Sequence, residues 1–186
     1  MSTYTETERQ LLLGIAHVSI ERGLEEKDPI PPSLHDYPER LCRHGASFVT
    51  LTIDSALRGC IGTLEACQPL IVDVAHNAFS AAFNDPRFSP LVAKEYPKIA
   101  IHISILSPHA PMVFSSEGDL VQQLRPGVDG LILSDKGRRG TFLPSVWEEI
   151  SEPAEFVRHL KAKAGFPAQY WSPTLTVDRY TVDVVE

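Results

Sequence analysis

The chain reads as an α+β fold: one domain over residues 1–186, with a mainly antiparallel sheet flanked by helices. Three observations lead there. Short runs rich in β-formers alternate with amphipathic helical stretches. Each half opens on two strands joined by a tight turn. The alignment that lays Arg58 on Arg139 also lays Pro86 on Pro167, and Ile99, Ile101 and Ile103 on Tyr180, Val182 and Val184. The plan is therefore two related strand–strand–helix–strand halves, about 45–106 and 127–186.

In the first half, Ser47 to Ile53 is rich in β-formers, and Leu57 to Leu64 follows after Asp54-Ser55-Ala56. Gln68-Pro69 opens a helix, since proline suits the first helical position. Ile71, Val74, Ala75, Ala78, Phe79 and Ala82 supply its apolar stripe. Asn84-Asp85-Pro86 stops it. Lys98 to Leu106 is a strand with isoleucine at every second position from 99 to 105. In the second half, Val128 to Leu133 and Arg138 to Leu143 flank the turn Ser134-Asp135-Lys136-Gly137. Ser151-Glu152-Pro153 starts a helix with Phe156, Val157, Leu160 and Ala164 inward, and Gly165 ends it. Leu175 to Val185 is read as one closing strand. Outside the halves lie an N-terminal helix around Thr7 to Gly23, a proline-rich link from Pro29 to Pro38, and a short helix near Ser116 to Leu124.

Composition narrows the function. Hydrophobic residues make up 43% and charged ones 22%, as in a soluble globular protein with its own core. The net charge of −7 disfavours a nucleic-acid partner, which needs a basic surface. The basic run Lys136-Gly137-Arg138-Arg139 reads as a polar hairpin tip. No apolar run reaches membrane-spanning length, and the polar N-terminus is no signal peptide. Cys42, Cys60 and Cys67 lack zinc-ligand spacing and fit reduced thiols in the cytoplasm. No phosphate loop, dinucleotide fingerprint, serine-hydrolase elbow or iron–sulfur cysteine pattern occurs, so no cofactor is expected.

The chemistry concentrates in Leu57-Arg58-Gly59-Cys60-Ile61-Gly62. On a strand, Arg58 and Cys60 share a face, and an adjacent cation favours the thiolate, the reactive form of cysteine. Gly59 and Gly62 clear space for another backbone or a ligand. A small buried thiol that only packs is the competing reading. These six residues resemble the signature of the AMMECR family, whose bacterial and archaeal members are called AmmeMemoRadiSam system protein A. The resemblance continues through Asp85-Pro86-Arg87-Phe88-Ser89-Pro90-Leu91, Ile103 to Pro108, Pro126 to Leu133, Gly140 to Glu148 and Lys161 to Pro167. It implies Memo-like and radical-SAM proteins as partners.

The candidate catalytic residues are Cys60, Arg58 and His102, the last as a general base for the thiol. His44, His76 and His109 are alternatives. Gly59, Gly62, Arg87 and Asp129 are the candidate binding residues, the last two as polar members of family-like loops. Asp54 with Arg58, and Asp135 with Arg139, are spaced to form hairpin ion pairs. Three readings follow: an accessory or partner protein of the Memo and radical-SAM system; a cofactor-free enzyme using Cys60 with Arg58 stabilising anionic charge; and a nucleic-acid or translation-related role suggested for the family, which the acidic charge disfavours. Cys60 is expected to line or border a cleft and to outreact Cys42 and Cys67.

Overall fold

A computed structural model describes residues 3–26 and 31–186; Lys27 to Ile30, with the start of the expected proline-rich link, lie outside the described residues. The chain forms two compact units, one reaching to Leu106 and taking in Asp183–Glu186, the other running from Ser107 to Val182. Each has its own antiparallel sheet, where the sequence suggested a single one.

In the first unit, α1 (Glu6–Glu26) starts with a reciprocal cap: the Thr5 amide donates to the Glu8 carboxylate and the Glu8 amide donates to Thr5 Oγ1. After a short helix, α2 (Glu39–Cys42), come β1 (His44–Ile53) and β2 (Ala56–Gly62). Asp54 and Ser55 both take positive φ, the conformation a two-residue hairpin turn demands. Gln68 and Pro69 form a two-residue strand, β3, against β1, so Pro69 sits just before α3 (Leu70–Phe83) rather than within it. β4 (Ile99–Leu106) then lies beside β1, giving the order β2-β1-β4. Val49, Leu51, Ile101 and Ile103 pack with Leu12, Ile20, Ile71 and Val74 of α1 and α3 into the core of this unit. Phe48, Thr50 and Thr52 point to the opposite face of the sheet, as period-two alternation requires.

The second unit carries a two-residue strand, β5 (Ala110–Pro111), then α4 (Glu117–Gln123), whose first turn is capped by Ser116. β6 (Gly130–Asp135) and β7 (Arg138–Phe142) form a hairpin around Lys136 and Gly137, again with positive φ at both turn residues. α5 (Pro153–Lys163) leads to β8 (Thr176–Tyr180), which pairs with β6. The order β7-β6-β8 repeats that of the first unit: hairpin, helix, then a strand beside the hairpin's first strand. Phe156, Val157 and Leu160 join Leu131, Leu133, Trp147 and Val177 in the core of this unit.

The closing strand is two strands. At Thr181 the backbone exchanges hydrogen bonds with Ser107, which interrupts the ladder. The last strand, β9 (Val182–Val185), joins the first sheet beside β4. The structural counterpart of β4 is therefore β8, not the stretch through Val184. Among the described residues no helix is long and apolar enough to cross a membrane.

Candidate functional site

The Leu57–Gly62 motif occupies β2, the outer strand of the first sheet. The pairing runs Thr52 to Leu57 and then Leu51 to Gly59, so Arg58 is an extra residue at a bulge. The bulge breaks the alternation that would put Arg58 beside Cys60. The Arg58 side chain instead runs to Glu95, donating from Nε at 3.1 Å and from Nη2 at 3.0 Å, and Nη2 also reaches the Ser89 carbonyl. This bidentate bond, with help from the Val92 amide, holds the Glu95 carboxyl below its ordinary range. Arg58 Nη1 is buried without a hydrogen-bond partner, and the guanidinium lies 5.9 Å from the Phe88 ring centre.

Cys60 meets a different arginine. Its amide donates to Asp85 Oδ2 at 2.9 Å, while its carbonyl accepts from Arg87 Nη2 at 3.2 Å. The loop after α3 thus satisfies the exposed edge of β2 as a neighbouring strand would. Asp85 is 4% exposed, and it also accepts from the Arg87 amide, Nε and Nη2. Arg87's side-chain bonds, opposed by burial and aided by the Cys60 amide, hold the Asp85 carboxyl far below the usual carboxylate range. Asp85 in turn raises the pKa of Arg87. The Asp-Pro-Arg-Phe loop and the Cys60 strand are one assembly.

Since the Cys60 amide points outward to Asp85, Cys60 and Thr50 form a non-hydrogen-bonded pair of the ladder, the kind with closer side chains. Thr50 Oγ1 donates to Cys60 Sγ at 3.2 Å. On the other side Thr50 pairs with His102. Cys60, Thr50 and His102 therefore form a row across one sheet face, with His102 two strands, about 10 Å, from Cys60. That exceeds hydrogen-bond reach. His102 Nδ1 lies 2.9 Å from Glu186 Oε2 instead.

The glycines serve packing. A Cβ on Gly59 would lie 2.0 Å from the Ala81 carbonyl oxygen of α3, and one on Gly62 would meet the Phe48 ring at 2.2 Å. The space they clear is filled by the protein itself. Asp129 is fully buried, and accepts from the Arg125 amide and guanidinium; its carbonyl accepts from the Trp147 indole. It closes a turn rather than facing solvent. His44 and His76 are exposed, and His109 lies 3.7 Å from Asp178. Of the expected hairpin ion pairs, Arg58 takes Glu95 in place of Asp54; the Asp135 carboxylate accepts from Tyr170 and Thr174.

Two buried groups were not singled out by the sequence reading. Asp73 accepts from the Ser47 amide and hydroxyl, Asn77, Thr63 and Gln68, tying β1, β3 and α3 together. Lys161, fully buried on α5, donates to Glu117 at 2.7 Å and to the Tyr170 carbonyl. Each had a signal: Asp73 interrupts an apolar helix, and Lys161 lies in phase with Val157 and Ala164. Among the described residues no group of three His, Cys, Asp or Glu side chains is placed to hold a metal.

A family model described as AMMECR1 matches residues 13–185. The chain belongs to the AMMECR1 family. A Methanothermobacter thermautotrophicus relative is 36% identical over 180 residues, covering 95% of this chain and 93% of its own. A Thermotoga maritima relative is 39% identical over 169 residues, covering 90% and 88%. The fold is that of the crystal structure titled uncharacterized protein PH0010 from Pyrococcus horikoshii, with a TM-score of 0.89 at 29% identity, covering 97% of this chain and 91% of that one. The Leu57–Gly62 and Asp85–Leu91 stretches, far apart in the AMMECR1 sequence, meet at the Cys60 peptide.

Proposed function

We propose that this AMMECR1 protein acts as an accessory protein that binds another protein, with Memo-like and radical-SAM proteins of the same cell as the partners. The observation that carries this reading is how the signature motif is used. Its charges are committed to internal partners, Arg58 to Glu95 and Arg87 to Asp85, while apolar side chains around them stay exposed. Leu57 precedes Arg58, and Val92, whose amide donates to Glu95, is equally uncovered. A mixed patch of exposed apolar groups around a fixed ion pair suits a protein interface better than a reaction centre. The three free cysteines suit work in the cytoplasm. The matching strand orders of the two units support an origin by internal duplication.

A second reading has one observation in its favour. The Cys60 thiol accepts a hydrogen bond from Thr50 and the Cys60 carbonyl accepts one from Arg87, surroundings that suit a thiolate nucleophile in a cofactor-free enzyme. In that reading Arg87, rather than Arg58, is the cation beside Cys60. Co-purification from the native organism separates the two. Binding of either partner by the wild type, lost in Leu57→Asp and kept in Cys60→Ser, supports the accessory role. Turnover of a small molecule by the isolated protein, abolished in Cys60→Ser, supports the enzyme.

A further inference from the structure

The hairpin between β6 and β7 carries a basic run that the proposed function leaves unused. Lys136 Nζ lies 5.6 Å from the centre of the Tyr170 ring, and the Arg138 guanidinium lies 5.4 Å from that of Phe166. Those two rings are themselves stacked, 4.4 Å apart with 16° between their planes. Lys163, the last residue of α5, lies 5.0 Å from the centre of the Phe142 ring at the end of β7. Arg138 Nη1 also donates to the Gly165 carbonyl at 2.5 Å.

Three features mark this as more than a solvated tip. First, Lys136 and Arg138 are exposed, yet neither has a carboxylate within ion-pair distance among the described residues. Exposed Arg43 and Arg158, by contrast, each pair with a glutamate three or four residues before them. The neighbouring Asp135 is buried and turned to Tyr170 and Thr174. On a chain of net charge −7, these are unbalanced cations. Second, the rings and the Gly165 carbonyl hold the side chains in place, so less rotamer freedom is lost when they bind. Third, the cations follow a line. Lys136 stands at the turn, Arg138 opens β7, and Phe142 with Lys163 above it ends β7. At strand rise that line is about 20 Å long.

We propose that this edge of the second unit docks an extended acidic segment of a partner protein, whose successive carboxylates meet Lys136, Arg138 and Lys163. A single phosphate cannot span the row. A nucleic-acid strand cannot add to a sheet edge through backbone amide and carbonyl groups, whereas a peptide segment can. β7 is the outer strand of its sheet, so an extended segment can run alongside it. The surface belongs to the second unit and the Leu57 patch to the first, and the proposal stands whether or not that patch binds.

The test is fluorescence anisotropy of the full chain with a labelled hexaglutamate peptide, at low and at physiological salt. Binding is expected to weaken about two- to fivefold for each cation removed in Lys136→Gln, Arg138→Gln and their combination, and to weaken further as salt screens the charges. Arg138→Lys should keep most of the affinity. Should Arg138→Gln unfold the chain, Lys136→Gln carries the test, since Lys136 contributes only a ring contact. No binding at low salt, or equal binding by the double variant, overturns the proposal. Tighter binding of a single-stranded oligonucleotide of equal charge also overturns it, in favour of a nucleic-acid partner.

Discussion

Replacing Asp85 by asparagine tests whether the loop after α3 holds the Cys60 strand in place. The carboxylate takes the Cys60 amide at 2.9 Å and three donors of Arg87 at 3.1, 2.9 and 2.7 Å. All four groups are donors. Asparagine keeps one acceptor and turns the other into a donor, so a buried N–H faces N–H groups whichever way the amide is set. Loss of charge-assisted bonds at a buried site, with one donor left unsatisfied, gives an expected cost of about 3 kcal/mol. For a chain this long that lowers the unfolding midpoint by about 6–12 °C. The pH dependence has a defined sign. Asp85 is acidified on folding, so its stabilisation is complete above the unfolded-state pKa of about 4. It declines as the pH falls below that value and is gone once the pH has passed the lower folded-state value. Urea denaturation at neutral pH and in acid checks both parts. Asp85→Asn should be less stable at neutral pH and lose less on acidification than the wild type. A cost under about 0.5 kcal/mol, the range of a neutral surface change, refutes the reasoning, as does an unchanged acid sensitivity.

The other expectations can be measured with the same protein. Gly59→Ala sets a methyl 2.0 Å from a backbone carbonyl and should cost about 3 kcal/mol or prevent folding, whereas Gly140→Ala meets Ala164 at 3.0 Å and should cost about 1 kcal/mol; equal costs in urea denaturation would contradict this. Timed alkylation read by mass spectrometry should find exposed Cys67 labelled before half-buried Cys42 and Cys60. That order reverses the sequence expectation, because Arg58 is committed to Glu95. Early labelling of Cys60 would instead favour the nucleophile reading.

The α+β class, both hairpins, the core helices after each and the AMMECR1 family follow from the order of the amino acids alone. These rest on local signals: alternating isoleucines in β4, an apolar stripe on α3, and turn residues at Asp54-Ser55 and Lys136-Gly137. Such signals act within a few residues, and the backbone obeys them wherever the chain goes. Tertiary structure alone decided what the motif residues do. One bulge at Arg58 turned the guanidinium away from Cys60 and gave it to Glu95. Register placed Thr50 between Cys60 and His102. Gly59 and Gly62 proved to make room for α3 and Phe48, and Asp129 to be a buried turn partner of Arg125. A hydrogen bond or a close contact depends on which strand and loop arrive at the same point in space. Residues such as Asp85 and Cys60, far apart along the chain, carry no mark of that meeting.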